Sequence, residues 1–248
     1  MIRVVDLHKS FGDQIVLKGV NLELETGKIT TIIGGSGSGK TVLLKHLNAL
    51  LLPNRGSVIV DGTDITRIGE HRLNNIRQKY GVLFQGAALL DSMTIYDNVA
   101  FPLREKTRLS ESEIEKKANE RLVQVGLVGA GHKFPAEVSG GMKKRAGLAR
   151  ALVMEPEIVL FDEPTTGLDP LLGKSIHQLI RKMHEAFGFT GVIVSHDIPE
   201  VFKISDCVAM LMDGVILEAG QAPDFLASKN PAVRQFIDVD VEGPLSVL

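Results

Sequence analysis

The N-terminal part of the chain alternates between apolar and polar positions. Ile2-Arg3-Val4-Val5, Ile15-Val16-Leu17 and Val20-Asn21-Leu22 are short β-branched or alternating runs, with the turn residues Gly12-Asp13 and Gly19 between them. A two-residue period bounded by turn formers predicts antiparallel strands, and residues 57–60 read as a further strand returning to them. Other runs lack the alternation. Residues 28–33 are β-rich and end directly at a glycine-rich stretch, whereas residues 81–85, 158–163 and 191–196 are apolar and end on polar residues. Continuous apolar strands belong to buried parallel sheets, whose ligand crevice lies at the carboxyl ends of the strands.

Helical spacing fills the intervals. After the glycine-rich stretch, Leu43, Leu44, Leu47 and Leu51 share one helix face, and Pro53 ends that helix. Residues 97–104 read as a short helix interrupted at Pro102. Ser110-Glu111-Ser112-Glu113 is a capping box before a helix with Ile114, Ala118, Leu122 and Val125 on one face. Ser139 is a good N-cap for a helix running through Leu148, Leu152 and Val153, and Gly167-Leu168-Asp169-Pro170 starts another over residues 171–187. No strand pattern occurs over residues 86–155, which predicts a helical insert between two strands of a parallel sheet. Residues 207–212 and 215–218 flank Asp213-Gly214, a type I′ hairpin signal. A short helix over residues 222–228 precedes a tail from Pro231 with apolar Val233, Phe236 and Ile237, then Asp238, Asp240 and Glu242. Most tails of this kind pack on their own domain or fray, and a contact with a partner is the minority reading.

Composition adds a size and a compartment. The 248 residues, 44% hydrophobic and 23% charged, suit one large α/β domain or a domain with an insert. A net charge of -2 carries no global signature of nucleic-acid binding. Cys207 is the only cysteine, which rules out an intrachain disulfide and fits a reducing cytoplasm. Residues 1–10 lack a signal-peptide core, and no apolar run nears the roughly 18 residues of a membrane helix, so a chain soluble by itself is expected. There is no H-E-x-x-H or Cys/His cluster to suggest zinc.

The chemistry concentrates at Gly34-Gly35-Ser36-Gly37-Ser38-Gly39-Lys40-Thr41, which spells G-x-x-x-x-G-K-[ST] between a strand and a helix. Glycines let backbone N–H groups turn onto phosphate oxygens. Lys40 reaches the β- and γ-phosphates, Thr41 offers a hydroxyl to Mg²⁺, and the helix presents its positive end to the anion. The motif gives a ligand and not a job, since GTPases, kinases, helicases and transport ATPases all carry it. Asp162 is expected to hold Mg²⁺ and Glu163 to take a proton from attacking water, the alternative being ordinary loop chemistry. His196 ends a parallel strand, from where it can donate to a γ-phosphate, whereas His177 and His184 read as surface residues. Phe11 is either a half-buried strand aromatic or a ring stacked on adenine. Gln85 alone reads as a polar strand end. Ser139-Gly140-Gly141 is a capped junction or a phosphate-facing helix end, and the three cations Lys143, Lys144 and Arg145 in its first turn oppose the helix dipole unless an anion is near.

In this order, the P-loop, Gln85, Ser139-Gly140-Gly141, Asp162-Glu163 and His196 resemble the nucleotide-binding subunit of an ABC transporter over essentially the whole chain. The resemblance implies an α/β P-loop ABC ATPase. Its RecA-like core, with a mixed, largely parallel sheet, and an N-terminal antiparallel β subdomain would come from residues 1–85 and 156–230, a helical subdomain from about 86–155 and a tail from 231–248. It implies ATP and Mg²⁺ as ligands and a head-to-tail homodimer. Phe11 becomes the adenine-stacking residue, Gln85 the hinge residue touching Mg²⁺ and the lytic water, and Asp169 the D-loop aspartate. Ser139, Gly140 and Gly141 become the signature, and Glu163, His196, Gln85 and Lys40 the catalytic set. The usual glutamine after Ser-Gly-Gly is Met142 here, and methionine cannot reproduce the hydrogen bonds of an amide.

Met142, residues 84–90, 97–105 and 233–236 look like the Mla/Mce-associated lipid-transport ATPases. That likeness implies phospholipid transport between bacterial membranes, at the cytoplasmic face of the inner membrane. The implied partners are an integral membrane permease, an Mce-type substrate-binding protein and a small accessory cytoplasmic subunit, with no nucleic acid. It also motivates a contact of the tail's exposed apolar residues across the ATPase dimer. The alternatives are a small-solute importer or exporter, or a soluble ABC protein of translation or DNA repair. The last would bring two cassettes or a long coiled-coil insertion, and this chain shows neither.

Overall fold

A computed structural model describes residues 1–240 and 242–244. In chain order it places β1 (Ile2–Phe11), β2 (Gln14–Leu24), β3 (Ile29–Ile33), α1 (Lys40–Leu47), β4 (Arg55–Val60), β5 (Thr63–Asp64), α2 (Glu70–Arg77) and β6 (Tyr80–Leu83). Helices α3 (Ile95–Lys106), α4 (Glu111–Gln124) and α5 (Gly140–Leu152) follow, then β7 (Ile158–Asp162), α6 (Pro170–Phe187) and β8 (Thr190–Val194). Strands β9 (Cys207–Met212) and β10 (Val215–Gln221) and helices α7 (Ala222–Leu226) and α8 (Pro231–Asp238) complete the chain. The contacts divide it into two compact units, Met1–Asn74 with Val192–Leu248, and Asn75–Gly191.

The first unit holds the expected antiparallel strands, in the order β2-β1-β4-β5. Ile2, Val4 and Leu7 are buried and Arg3 and Val5 exposed, the alternation of a sheet with one covered face. β4 returns antiparallel to β1, with Val58 opposite Val4. All five residues of β3 are buried, and β3 runs parallel to β9 with Thr30 opposite Cys207. β9 and β10 form the expected hairpin. Asp213 and Gly214 have φ of 47° and 82°, the two positive values its turn requires.

Two expectations fail in this unit. α1 stops at Leu47, well short of Leu51 and Pro53. Asn48 ends it, because its Oδ1 accepts the Leu50 N–H at 3.2 Å and Ala49 turns left-handed with φ 52°, a local alternative to another helical bond. In the tail, Val233 is fully buried and Phe236 and Ile237 half-buried, because the short amphipathic α8 turns that face inward. Val241 and residues 245–248 of the tail lie outside the described residues.

In the second unit β6 and β7 run parallel, Tyr80 opposite Ile158 and Leu83 opposite Phe161, and no strand lies between them. The capping box at Ser110 and Glu113 forms as expected, and Ile114, Ala118, Leu122 and Val125 are buried. α3, however, passes through Pro102 unbroken. Burial of Val99, Ala100 and Leu103 and the Arg104–Asp97 ion pair at 2.9 Å offset the one helical hydrogen bond that proline removes. His177 and His184 are not surface residues, being 2% and 8% exposed. The helical period places them in one stripe with Ile176, Ile180 and Met183, and His184 meets Phe189 edge-on at 5.2 Å.

Candidate active site

In the first unit the glycine loop leaves β3 at Ile33 and enters α1 at Lys40. Gly34 has φ 153°, and a Cβ there would collide with the Leu211 carbonyl oxygen of β9. At Gly35 and Gly37 an added Cβ meets nothing within 4 Å, so these residues form the open side of the loop. α1 has glycine as its N-cap, no side-chain hydrogen bond there and no acidic residue in its first turn. Its leading N–H groups and positive dipole end are thus arranged for an anion. The buried Lys40 donates from Nζ to the carbonyls of Gly34 and Gly35, both at 2.9 Å, so its ammonium lies across the loop.

His196 is exposed two residues beyond β8. The buried Ser195 donates its N–H to Ile32 O at 3.2 Å and accepts the Asp197 N–H on Oγ at 3.0 Å. The turn that presents His196 is therefore fastened to the strand that feeds the glycine loop. Phe11 ends β1, 47% exposed as a residue, with the Lys9 ammonium 5.1 Å from its ring centroid. Lys9 is itself held by Leu52 O at 2.8 Å.

In the second unit Asp162 ends β7 and Glu163 follows it, both buried. Glu163 has φ 50°, a left-handed conformation that a β-bearing residue adopts only when its surroundings impose it. Thr166 imposes part of it, donating Oγ1–H to Glu163 Oε2 at 3.2 Å and its N–H to Glu163 O at 3.3 Å. Lys144 imposes more, donating from Nζ to Glu163 O at 3.3 Å and to Gln85 O. Burial pushes the Lys144 ammonium below the usual lysine range, with the Glu163 and Asp162 carboxylates acting against that shift.

Two of the three cations after Ser139-Gly140-Gly141, Lys144 and Arg145, turn to partners within their own unit. Lys144 turns inward to carbonyls, and Arg145 to Ser175 Oγ at 3.0 Å and Val125 O at 3.4 Å. They lie past the first N–H groups of α5, where side chains face the neighbouring elements of their own unit. Ser139 caps α5 through the Met142 N–H at 3.3 Å, and Ser139 and Gly140 are exposed. A Cβ built on Gly140 would lie 3.5 Å from Leu168 and one on Gly141 3.7 Å from Leu172. Gly140 and Gly141 thus adjoin the segment where Asp169 caps α6, accepting from Leu171 and Leu172 at 3.1 and 3.0 Å. Gln85 is exposed, with its carbonyl occupied by Lys144. Sequence reasoning passed over Thr166 and Ser195 and read Lys144 only as a cation near the helix start; the partners of all three are set by the fold.

A glycine loop between a buried parallel strand and an uncapped helix, with a buried lysine across it, defines a P-loop nucleotide-binding protein of the α/β class. The chain belongs to the ABC transporter family, whose profile matches residues 17–166. It is an ATPase in which hydrolysis is coupled to transport. The probable ribonucleotide transport ATP-binding protein mkl of Mycobacterium tuberculosis is 46% identical over 246 residues, 99% of this chain and 68% of mkl. The intermembrane phospholipid transport system ATP-binding protein MlaF of Haemophilus influenzae is 40% identical over 245 residues, 99% of this chain and 93% of MlaF. Among solved structures, cbiO1 of Clostridium perfringens, part of the cbiONQ ABC transporter complex, matches with a TM-score of 0.84 at 30% identity, covering 97% of this chain and 95% of cbiO1. The ATP-binding cassette MJ0796, in a dimeric post-hydrolysis state bound to ADP and Pi, matches with a TM-score of 0.81 at 33% identity, covering 90% and 99%. These likenesses bear out the expected ABC ATPase fold. Among the described residues no helix is long and apolar enough to cross a membrane.

Proposed function

We propose that this ATPase energises phospholipid transport between bacterial membranes, as a head-to-tail homodimer beneath an integral membrane permease at the cytoplasmic face of the inner membrane. The observation that carries the reading is the likeness to MlaF, which spans nearly all of both chains. An Mce-type substrate-binding protein and a small accessory cytoplasmic subunit complete the assembly, and nucleic acid has no part in it. Chain organisation follows the same reading, with a helical subdomain over about 86–155 set into the core.

In this mechanism Phe11 stacks on the adenine, and the N–H groups of residues 34–39, Lys40 and the start of α1 bind the phosphates. Thr41, Asp162 and Gln85 would hold Mg²⁺. Their oxygens suit a hard cation, and among the described residues no group of three or more His, Cys, Asp or Glu could hold a metal by itself. When bound, Mg²⁺ would supply neutralisation of phosphate charge. Glu163 accepts the proton of the attacking water, its carboxylate steadied by Thr166. Lys40 and His196 donate to the oxygens of the transferring phosphoryl group, where charge develops. Ser139, Gly140 and Gly141 of one copy contact the γ-phosphate held by the other. ATP then binds the closed dimer better than the open one, which is the differential affinity that a population shift needs. Met142 leaves this contact to the serine hydroxyl and the glycine N–H groups.

Phe11→Ala is expected to raise the Kd for ATP about five- to tenfold, the equivalent of roughly 1–1.5 kcal/mol of stacking, with kcat at saturating ATP nearly unchanged. A nucleotide titration that finds native affinity would leave Phe11 a plain strand residue. Affinity purification of the tagged chain from its native membrane tests the function. The expected result is an integral membrane permease together with phospholipid. A second reading, transport of a small solute such as a ribonucleotide, is favoured by the likeness to mkl. A permease complex that carries ribonucleotide and no lipid would replace the first reading with the second.

A further inference from the structure

The loop after β6 is fastened to α5 at three carbonyls, those of residues 85, 87 and 88. Lys144 donates to Gln85 O, and Arg150 donates from Nη2 to Ala87 O at 2.6 Å and from Nη1 to Ala88 O at 2.7 Å. Ala87 and Ala88 have φ of 60° and 47°, left-handed values that alanine takes only where neighbours over-determine them. With two cations of one helix bonded to its carbonyls, this loop moves with α5. The Lys144 ammonium has a second partner, the main-chain carbonyl of Glu163, itself in a left-handed conformation and also bonded by the Thr166 N–H.

We propose that Lys144 is a positioning residue that couples the Gln85 loop to the candidate general base, by holding the main-chain carbonyls of Gln85 and Glu163 on one buried ammonium. An ammonium shielded from water is stable only when its donors are used, and here they fall on backbone rather than on a carboxylate. The Glu163 carboxylate accepts from the Thr166 hydroxyl. A displacement of the Gln85 loop is passed through the ammonium to the Glu163 peptide, and the left-handed turn rotates the carboxylate with it. Removing the ammonium separates the two carbonyls while leaving both side chains present. The effect falls on the rate of hydrolysis rather than on nucleotide binding, because the two carbonyls that Lys144 holds belong to the Gln85 loop and the candidate base. The inference rests on the reading of Glu163 as the base.

The test is steady-state ATP hydrolysis by the full chain, with kcat and KM resolved separately for Lys144→Met and Lys144→Arg. Lys144→Met is expected to lower kcat at least tenfold with KM for ATP within about threefold of native. Lys144→Arg, whose guanidinium can serve two carbonyls, is expected to stay within about threefold in both. If Lys144→Met does not fold, Lys144→Gln carries the test, because its amide can serve one carbonyl but not hold both, and the same kcat-specific loss is expected. Native kcat in the Met or Gln variant overturns the proposal. So does a loss of kcat that arginine fails to restore and that tracks a lowered thermal midpoint, since that marks a packing role. Glu163→Gln assayed in parallel separates the two readings. Native kcat at Lys144→Met with loss at Glu163→Gln removes the coupling alone, whereas native turnover at Glu163→Gln removes the base assignment and the coupling with it.

Discussion

Glu163→Gln is expected to leave ATP binding intact, to slow hydrolysis by about 10²-fold or more and to accumulate a closed dimer in ATP. The size follows from what the substitution removes. An amide keeps the shape of the side chain and can still accept the Thr166 hydroxyl, but it has no basic oxygen for the proton of the attacking water, and general-base catalysis typically contributes about 10² to 10⁴ in rate. The buried position of Glu163 and its fixed left-handed backbone mean that no other conformation of the turn is at hand to bring a substitute. The dimer accumulates because the γ-phosphate link is made and not removed. Phosphate release, nucleotide titration and size-exclusion chromatography in ATP measure the three parts. Turnover within a few-fold of native would sink the assignment.

Lys40→Ala acts earlier, on binding itself. Its ammonium is the cation of the glycine loop, and a hydrogen bond from a charged donor is worth about 1.5–3 kcal/mol, so a loss of roughly 10²-fold in ATP affinity is expected. The same ammonium bonds Gly34 O and Gly35 O, and alanine also removes those two restraints on the loop. Calorimetric titration should show the weakened binding with little change in the thermal midpoint of the nucleotide-free chain. Unchanged affinity would contradict the phosphate contact.

The features most legible in the sequence are those closed by local bonds. The P-loop, the Asp213-Gly214 hairpin and the Ser110 capping box each depend on residues a few positions apart, and each forms where its pattern lies. Lys144 is the opposite case. A lysine just inside a helix suggests an anion or solvent, and only the packing of α5 shows that it serves carbonyls at residues 85 and 163. His177 and His184 were readable in principle, since they keep phase with Ile176, Ile180 and Met183, but polarity outweighed period. Leu51 was lost to Asn48, whose side chain competes with the helix, and Pro102 sits inside a helix because burial outweighs its missing N–H. The positive φ values of Asp213 and Gly214 could be read in advance for the same local reasons. The restraints on Glu163 could not, because they begin with a left-handed backbone that glutamate does not advertise.

The collision that forbids a side chain at Gly34 involves the main-chain oxygen of Leu211, an atom that position 211 carries whatever its side chain. Gly34 therefore has no suppressor at its own contact. Where two side chains clash, a smaller neighbour can rescue the larger one, but here the neighbour has nothing to shed. Revertants selected from a Gly34 variant must restore glycine or move main chain, in the loop or in β9, so a smaller side chain at position 211 cannot repair this position.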